Sequence, residues 1–123
     1  MQAKPIIWLV GTKYTPAKGK ELSEKEFNDW YNRVDIPWML SVPGVTSAKR
    51  YEVISDEPQH PDFPLTGEEY PKYLAVYELE SAAVLDSIYN DPKRSAVRKA
   101  RFRIPDEDLF LRKWRVMYKP IAL

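Results

Sequence analysis

Residues 26–45 read EFNDWYNRVDIPWMLSVPGV, and the punctuation of this segment decides the fold. Just upstream, Ser23 and Glu26 stand at capping-box spacing, with Ser23 as the cap and Glu26 reaching back. Phe27, Trp30, Tyr31, Val34 and Trp38 then recur at helical spacing and make one broad apolar stripe. Pro37 lacks an N–H and its ring collides with the turn before it, which predicts a break or kink there. A short helical turn over 37–42 would start with Pro37 at its first position. Pro43-Gly44 ends it. A strand is expected over 45–54, with Thr46, Ala48 and Arg50 on one face and Val45, Ser47, Lys49, Tyr51 and Val53 on the other.

Outward from this core segment, residues 5–14 carry Ile6, Ile7, Trp8, Leu9 and Val10 without alternation, the pattern of a strand covered on both faces. Lys13 to Lys20, with Gly19, reads as a loop. Residues 55–71 are acidic, proline-rich and long for a structureless connection, a length often found in lids. Residues 72–80 give a third strand in which Tyr73, Ala75, Tyr77 and Leu79 alternate with Leu74 and Val76. Ser81 is expected to cap a helix bearing Val84, Leu85, Ile88 and Tyr89. Asp91-Pro92 caps and restarts a second helix over 93–103. The last strand, 109–120, places Phe110, Trp114, Val116 and Tyr118 on one face.

The order β-α-β, β-α-β defines an α+β class: a ferredoxin-like split βαβ with a four-stranded antiparallel sheet and helices on one face. One domain accounts for all 123 residues. The strands are apolar on both faces, yet helices cover only one. A large uncovered apolar face marks an interface, so a homodimer with sheet against sheet is expected.

Composition narrows the partners. Lys and Arg number 19 against 18 Asp and Glu, so no overall field draws nucleic acid or an anionic membrane. The basic run Lys93, Arg94, Arg98, Lys99, Arg101 and Arg103 lacks RNP-like aromatic strands beside it and reads as a solvated helix face or a partner for the acidic loop. No stretch approaches the roughly 20 apolar residues that span a bilayer. The run from Pro5 to Val10 is too short for a signal segment, and the chain reads as cytosolic. The absence of cysteine removes disulfides and thiolate chemistry. A single histidine with no second His or Cys nearby leaves no metal site in view. With only four glycines, no phosphate-binding loop is formed.

The run from Glu26 to Pro37, followed by Leu40, Val42-Pro43-Gly44-Val45 and Arg50-Tyr51, resembles the dimeric α+β barrel superfamily, and its EthD-like branch in particular. Tyr73 to Leu79 and Val116 to Ile121 resemble that branch's third and fourth strands. The resemblance implies a ferredoxin-like monomer whose sheets pair into a dimeric α+β barrel, with an apolar pocket between sheet and helices. It implies chemistry on small, often aromatic or carbonyl-bearing molecules. The superfamily includes cofactor-independent monooxygenases, lactone isomerases and polyketide-type cyclases, and some members bind heme. Members usually carry histidine two residues before the proline. Here that position is Asp35, so a histidine mechanism does not transfer directly.

Three residues are the candidates for catalysis: Asp35, His60 and Tyr51. Burial raises a carboxyl pKa and suits such a group to acid or base work near neutrality. Asp35 has two plainer readings, as cap of the turn at Pro37 or as ion-pair partner of Arg33 or a nearby lysine. His60 would enter a pocket only if its loop closes; otherwise it sits in water. Tyr51 offers a phenolic hydroxyl to a substrate oxyanion. Trp8, Tyr31, Trp38, Tyr73, Tyr77 and Trp114 are the candidates for binding substrate, or else they pack the core and the dimer interface. The expected function is a cofactor-independent enzyme acting by acid/base chemistry on a small apolar oxygenated compound, as a lyase, isomerase or cyclase. A cofactor-free monooxygenase and a non-catalytic binding or stress-type module are the alternatives.

Overall fold

The unalternating apolar run near the start of the chain becomes an inner strand. In the computed structural model, which describes residues 5–14, 24–54, 60, 62, 70–101 and 110–122, β1 (Ile6–Tyr14) lies between two antiparallel neighbours. These are β3 (Tyr73–Leu79) and β4 (Phe110–Tyr118), while β2 (Val45–Glu52) closes the other side of β3. The sheet order β2-β3-β1-β4 is that of the split βαβ expected from the sequence. The α+β class and the four-stranded antiparallel sheet are both present.

The helices, α1 (Glu24–Trp30), α2 (Ile36–Ser41), α3 (Val84–Tyr89) and α4 (Arg94–Arg101), supply the second layer. β3 alternates strictly: Tyr73, Ala75, Tyr77 and Leu79 are buried, and the residues between them are half-buried. Register places Trp8 opposite Tyr77 and Val10 opposite Ala75, so these rows join Met39, Val42, Val84 and Ile88 in one core cluster. Phe27, Trp30, Tyr31 and Tyr73 form a second cluster beneath α1. Two clusters meeting at a seam leave room between them, and the site lies there.

Three local features refine or correct the expectations, each for a physical reason. At Pro37 the expected break or kink takes the form of a change in helix register, followed by a short helix with Pro37 in its first turn. The chain widens ahead of it into a π turn, Tyr31–Asp35, in which the Ile36 N–H reaches back to the Tyr31 carbonyl. An α-register would aim Pro37, which has no N–H, at the Arg33 carbonyl; the widened turn relieves that conflict and the helix resumes as α2. The second feature is a bulge in β2. Val45 pairs with Leu79 but Ser47 pairs with Glu78, which leaves Thr46 as the extra residue. Beyond it the faces exchange, so Ala48 and Arg50 share the helix-facing side with Val45, and Lys49 and Tyr51 turn outward. Thirdly, Ser81 is not the cap of α3, whose N-cap is Ala83 without a side-chain bond. Asp91 does act as expected: its Oδ1 accepts from the Lys93 N–H at 2.7 Å. Ser23 lies outside the described residues.

Gly44 shows why the Pro-Gly turn is built as it is. Its φ is +96°, and a Cβ there would stand 2.5 Å from Val84 Cγ2. Only glycine permits both the left-handed turn and the close approach of α3. Among the described residues, no helix is long and apolar enough to cross a membrane.

Candidate functional site

The π turn sets the site. It buries Tyr31 and Asp35 together, four residues apart, on the side facing the sheet. Asp35 is 8% exposed, and Tyr77 on β3 is 3% exposed. The Tyr77 hydroxyl donates to Asp35 Oδ2 at 2.8 Å. Asp35 makes no side-chain capping bond to the turn that follows it. Burial pushes the Tyr77 phenol well above its usual value, and the charge of Asp35 pushes the same way. Tyr77 is therefore a neutral phenol at physiological pH, and a fixed donor to the carboxylate.

A cavity of about 60 Å³ opens above this pair, between the two core clusters. Trp8, Tyr31, Trp38 and Tyr77 give it aromatic walls, with Asp35 at its polar side. Trp8 and Tyr77 lie 5.4 Å apart between ring centroids, tilted at 36°, and so hold each other in place. The Trp38 indole nitrogen is buried and has no hydrogen-bond partner. A buried donor without an acceptor costs about 1–3 kcal/mol, so it is a place where a ligand oxygen adds affinity. At the outer end of the cavity stand Tyr89, 37% exposed, half-buried Arg94 and exposed Arg115.

Of the residues singled out from sequence, the structure gathers Trp8, Tyr31, Asp35, Trp38 and Tyr77 around one cavity. Tyr73 sits behind it, packed 5.5 Å from the Phe27 ring and accepting from Asn28 Nδ2 at 3.3 Å. Tyr51 is 52% exposed on the outward side of β2. His60 is exposed, and its Nδ1 accepts from the Asp62 N–H at 3.1 Å. Trp114 pairs with Gly11 in the sheet, but its side chain lies outside the described residues.

Arg50 was hidden from sequence reasoning by the bulge. Its guanidinium carbon stands 4.4 Å from the centre of the Tyr31 ring and 5.3 Å from that of Tyr73, at cation–π range. Nη1 donates to Asn32 Oδ1 at 3.3 Å, and Nη2 is buried with no partner. Burial draws its pKa below the usual value, opposed by Tyr31, Tyr77, Tyr73 and Asp35. Arg94 and Arg115 were also missed. Arg94 begins α4 directly after the Asp91-Pro92 cap, a position the basic run disguised as solvated surface. Arg115 lies opposite Val10 in register, which turns it to the helix side of the sheet.

No protein-family model matches this chain, and no curated protein matches it. Solved structures do. An ethyl tert-butyl ether D (EthD) family protein from Bacillus halodurans aligns with a TM-score of 0.55 at 12% identity, over 94% of this chain and 99% of that one. A dimeric ferredoxin-like protein of unknown function from Jannaschia sp. aligns with a TM-score of 0.52 at 17% identity, over the same shares. A hypothetical Arabidopsis thaliana protein reaches 0.60 at 12% identity, over 100% of this chain and 95% of that one. The chain therefore shares the ferredoxin-like fold of these neighbours, an EthD family protein among them. At these identities the likeness extends to the fold alone.

Proposed function

We propose that this protein is an enzyme that moves a proton on a small oxygenated compound, with Asp35 as the acid/base group and Tyr77 as the donor that orients it. The observation that carries this reading is the buried 2.8 Å bond from Tyr77 to Asp35 at the wall of a cavity otherwise lined by aromatic rings. In the step, Asp35 takes a proton from a carbon next to a carbonyl. The C–H electron pair moves into the carbonyl, and the oxygen becomes an enolate. The Trp38 N–H is the donor available to that oxygen. Return of the proton to the same or a neighbouring carbon completes an exchange or an isomerisation. Asp35 stands in this reading where members of the resembled branch carry histidine.

The fold also supports a homodimer. The outward face of the sheet carries Ile7, Leu9, Leu74, Val76, Val116 and Tyr118, and no described helix covers it. One structural neighbour of this fold is itself dimeric.

The test needs no prior substrate. Small ketones, lactones and phenols are incubated with the protein in heavy water, and loss of carbon-bound protons next to the carbonyl is followed by NMR. Enzyme-dependent exchange is expected for at least one class. Asp35→Asn should reduce it by about 10²–10⁴-fold, the usual share of one acid/base group. Exchange that survives Asp35→Asn, or no exchange with any ligand shown to bind, overturns the catalytic reading. Saturable binding without exchange would leave a module that holds its ligand unchanged.

A further inference from the structure

We propose that the ligand of this cavity is an anion: a compact carbonyl compound whose carboxylate is held at the mouth by Arg94 and Arg115 and whose carbonyl oxygen meets the Trp38 N–H. The proposal rests on reading the cavity as the substrate site, and deepens it by naming the substrate class. Three observations point to it.

The first is the charge of the lining. Two guanidinium groups, Arg94 and Arg115, border the cavity, and Asp35 is the one carboxylate among its described lining residues. Asp35 is already engaged by Tyr77 at the inner end. The second is how the mouth is organised. The guanidinium carbon of Arg94 stands 4.7 Å from the centre of the Tyr89 ring, and that of Arg115 stands 5.9 Å from the same ring. Arg115 Nη1 also donates to the Tyr89 hydroxyl. Tyr89 is in turn set by an edge contact to Trp8, with centroids 6.2 Å apart. The two cations are thus brought to one rim by a shared aromatic ring, although like charges repel. Planar guanidinium groups held this way offer the forked donors that match a carboxylate. The third is the polar atom deeper in. Trp38 Nε1 is a buried donor with no partner at the same cavity, which asks for a neutral oxygen acceptor rather than a second charge.

Together these give the cavity a cationic rim, aromatic walls, an unpartnered indole donor and the Asp35–Tyr77 pair. An oxo acid fits that set. Its carboxylate stays at the partly wet mouth, where desolvation is mild, and its ketone enters the cavity. The carbon between or beyond them then lies next to the base.

Pyruvate, levulinate and benzoylformate, each beside its neutral amide, vary the spacing between carbonyl and carboxylate. Titration calorimetry and thermal shift would be run on the wild type, Arg115→Gln, Arg94→Gln and Trp38→Phe. For at least one pair the anion should bind about tenfold or more tightly than its amide. Added salt should erode that preference, because Arg115 is exposed. Either arginine variant should reduce it, while Trp38→Phe should weaken anion and amide alike. Unliganded melting temperatures of the variants establish that they fold. An amide that binds as well as its acid, or a preference untouched by Arg115→Gln, overturns the anionic class and leaves the cavity standing as a binding site. Silence from every pair overturns both.

Discussion

Tyr77 is 3% exposed, and its hydroxyl proton is committed to a carboxylate. Removing that proton would place a second negative charge beside Asp35 in a poorly hydrated space. The consequence for stability has a definite sign. The ordinary phenol value is 10.0, and the folded value lies well above it. Above pH 10 the unfolded chain therefore gives up a proton that the native state keeps, and stability falls as pH rises. The contribution is fully present below that pH. Tyr77→Phe has no such proton, so its alkaline unfolding curve should fall less steeply, by up to about 1.4 kcal/mol per pH unit. Circular dichroism across the alkaline range checks this, and equal slopes would remove the claim that Tyr77 resists ionisation. The residue types at this site were visible in the sequence, since Asp35 flanks the apolar stripe of the first helix and Tyr77 stands in an apolar strand row. Their pairing was not, because residues 42 apart meet only through the register of β3 against the helix layer.

At the scale of elements, the places where pattern and structure part are those where one residue is added to a regular repeat. The extra Thr46 in β2 leaves the alternation of residue types intact while exchanging the faces beyond it. Arg50 thereby moves from the face opposite Val45 to the same face as Val45, where it meets the Tyr31 ring. The π turn does the same to the helix, and Pro37 was the only signal of it. By contrast, β3 reads correctly throughout, because both its ends are fixed by neighbours and no residue is inserted. The junction of α1 with β3 depends instead on charge. Lys72 Nζ donates to Glu24 Oε1 at 2.8 Å, and the bond to Lys72 holds the Glu24 carboxyl below its ordinary 4.5. The same bond raises Lys72 above its ordinary 10.5. Glu24 then stabilises the fold above pH 4.5, and loses that effect as pH falls through its lowered value. Lys72 stabilises below pH 10.5 and loses its effect as pH rises further. Both side chains are nearly two-fifths exposed, so water and salt screen the pair. Glu24→Gln should cost less than about 1 kcal/mol at neutral pH, and nothing once Glu24 is protonated. Urea unfolding at two pH values and two salt concentrations measures it. A cost that persists in acid would assign the effect to packing rather than to the ion pair.

For the whole molecule, the feature left to satisfy is the uncovered apolar face of the sheet. Leu9 lies opposite Val76 on one side and Val116 on the other, so three strands contribute one continuous apolar row. Ile7 and Tyr118 extend it, at 36% and 55% exposure, and they pair with each other in register. A flat apolar face of this kind, on a sheet whose other side is already packed, gains most by meeting a copy of itself. A two-fold pairing buries the same rows on both partners without exposing a new surface. A stable pairing of standard size removes roughly 800 Å² per partner. The sequence made the uncovered apolar face legible, because the strands are apolar on both faces while helices cover only one. It left silent which residues stand in the middle of that face, since that depends on the register of β1. The register places Leu9 and Val76 there. Val76→Glu sets two like charges against each other across the two-fold axis and buries neither, so it should yield a folded monomer. Light scattering at micromolar concentration should give twice the chain mass for the wild type and the single chain mass for the variant, with circular dichroism unchanged. A wild-type monomer at that concentration would mean that the apolar face serves another partner. A dimer that survives Val76→Glu would place the contact elsewhere on the sheet. The cavity faces the helices, away from this surface, so ligand binding should persist in the Val76→Glu monomer.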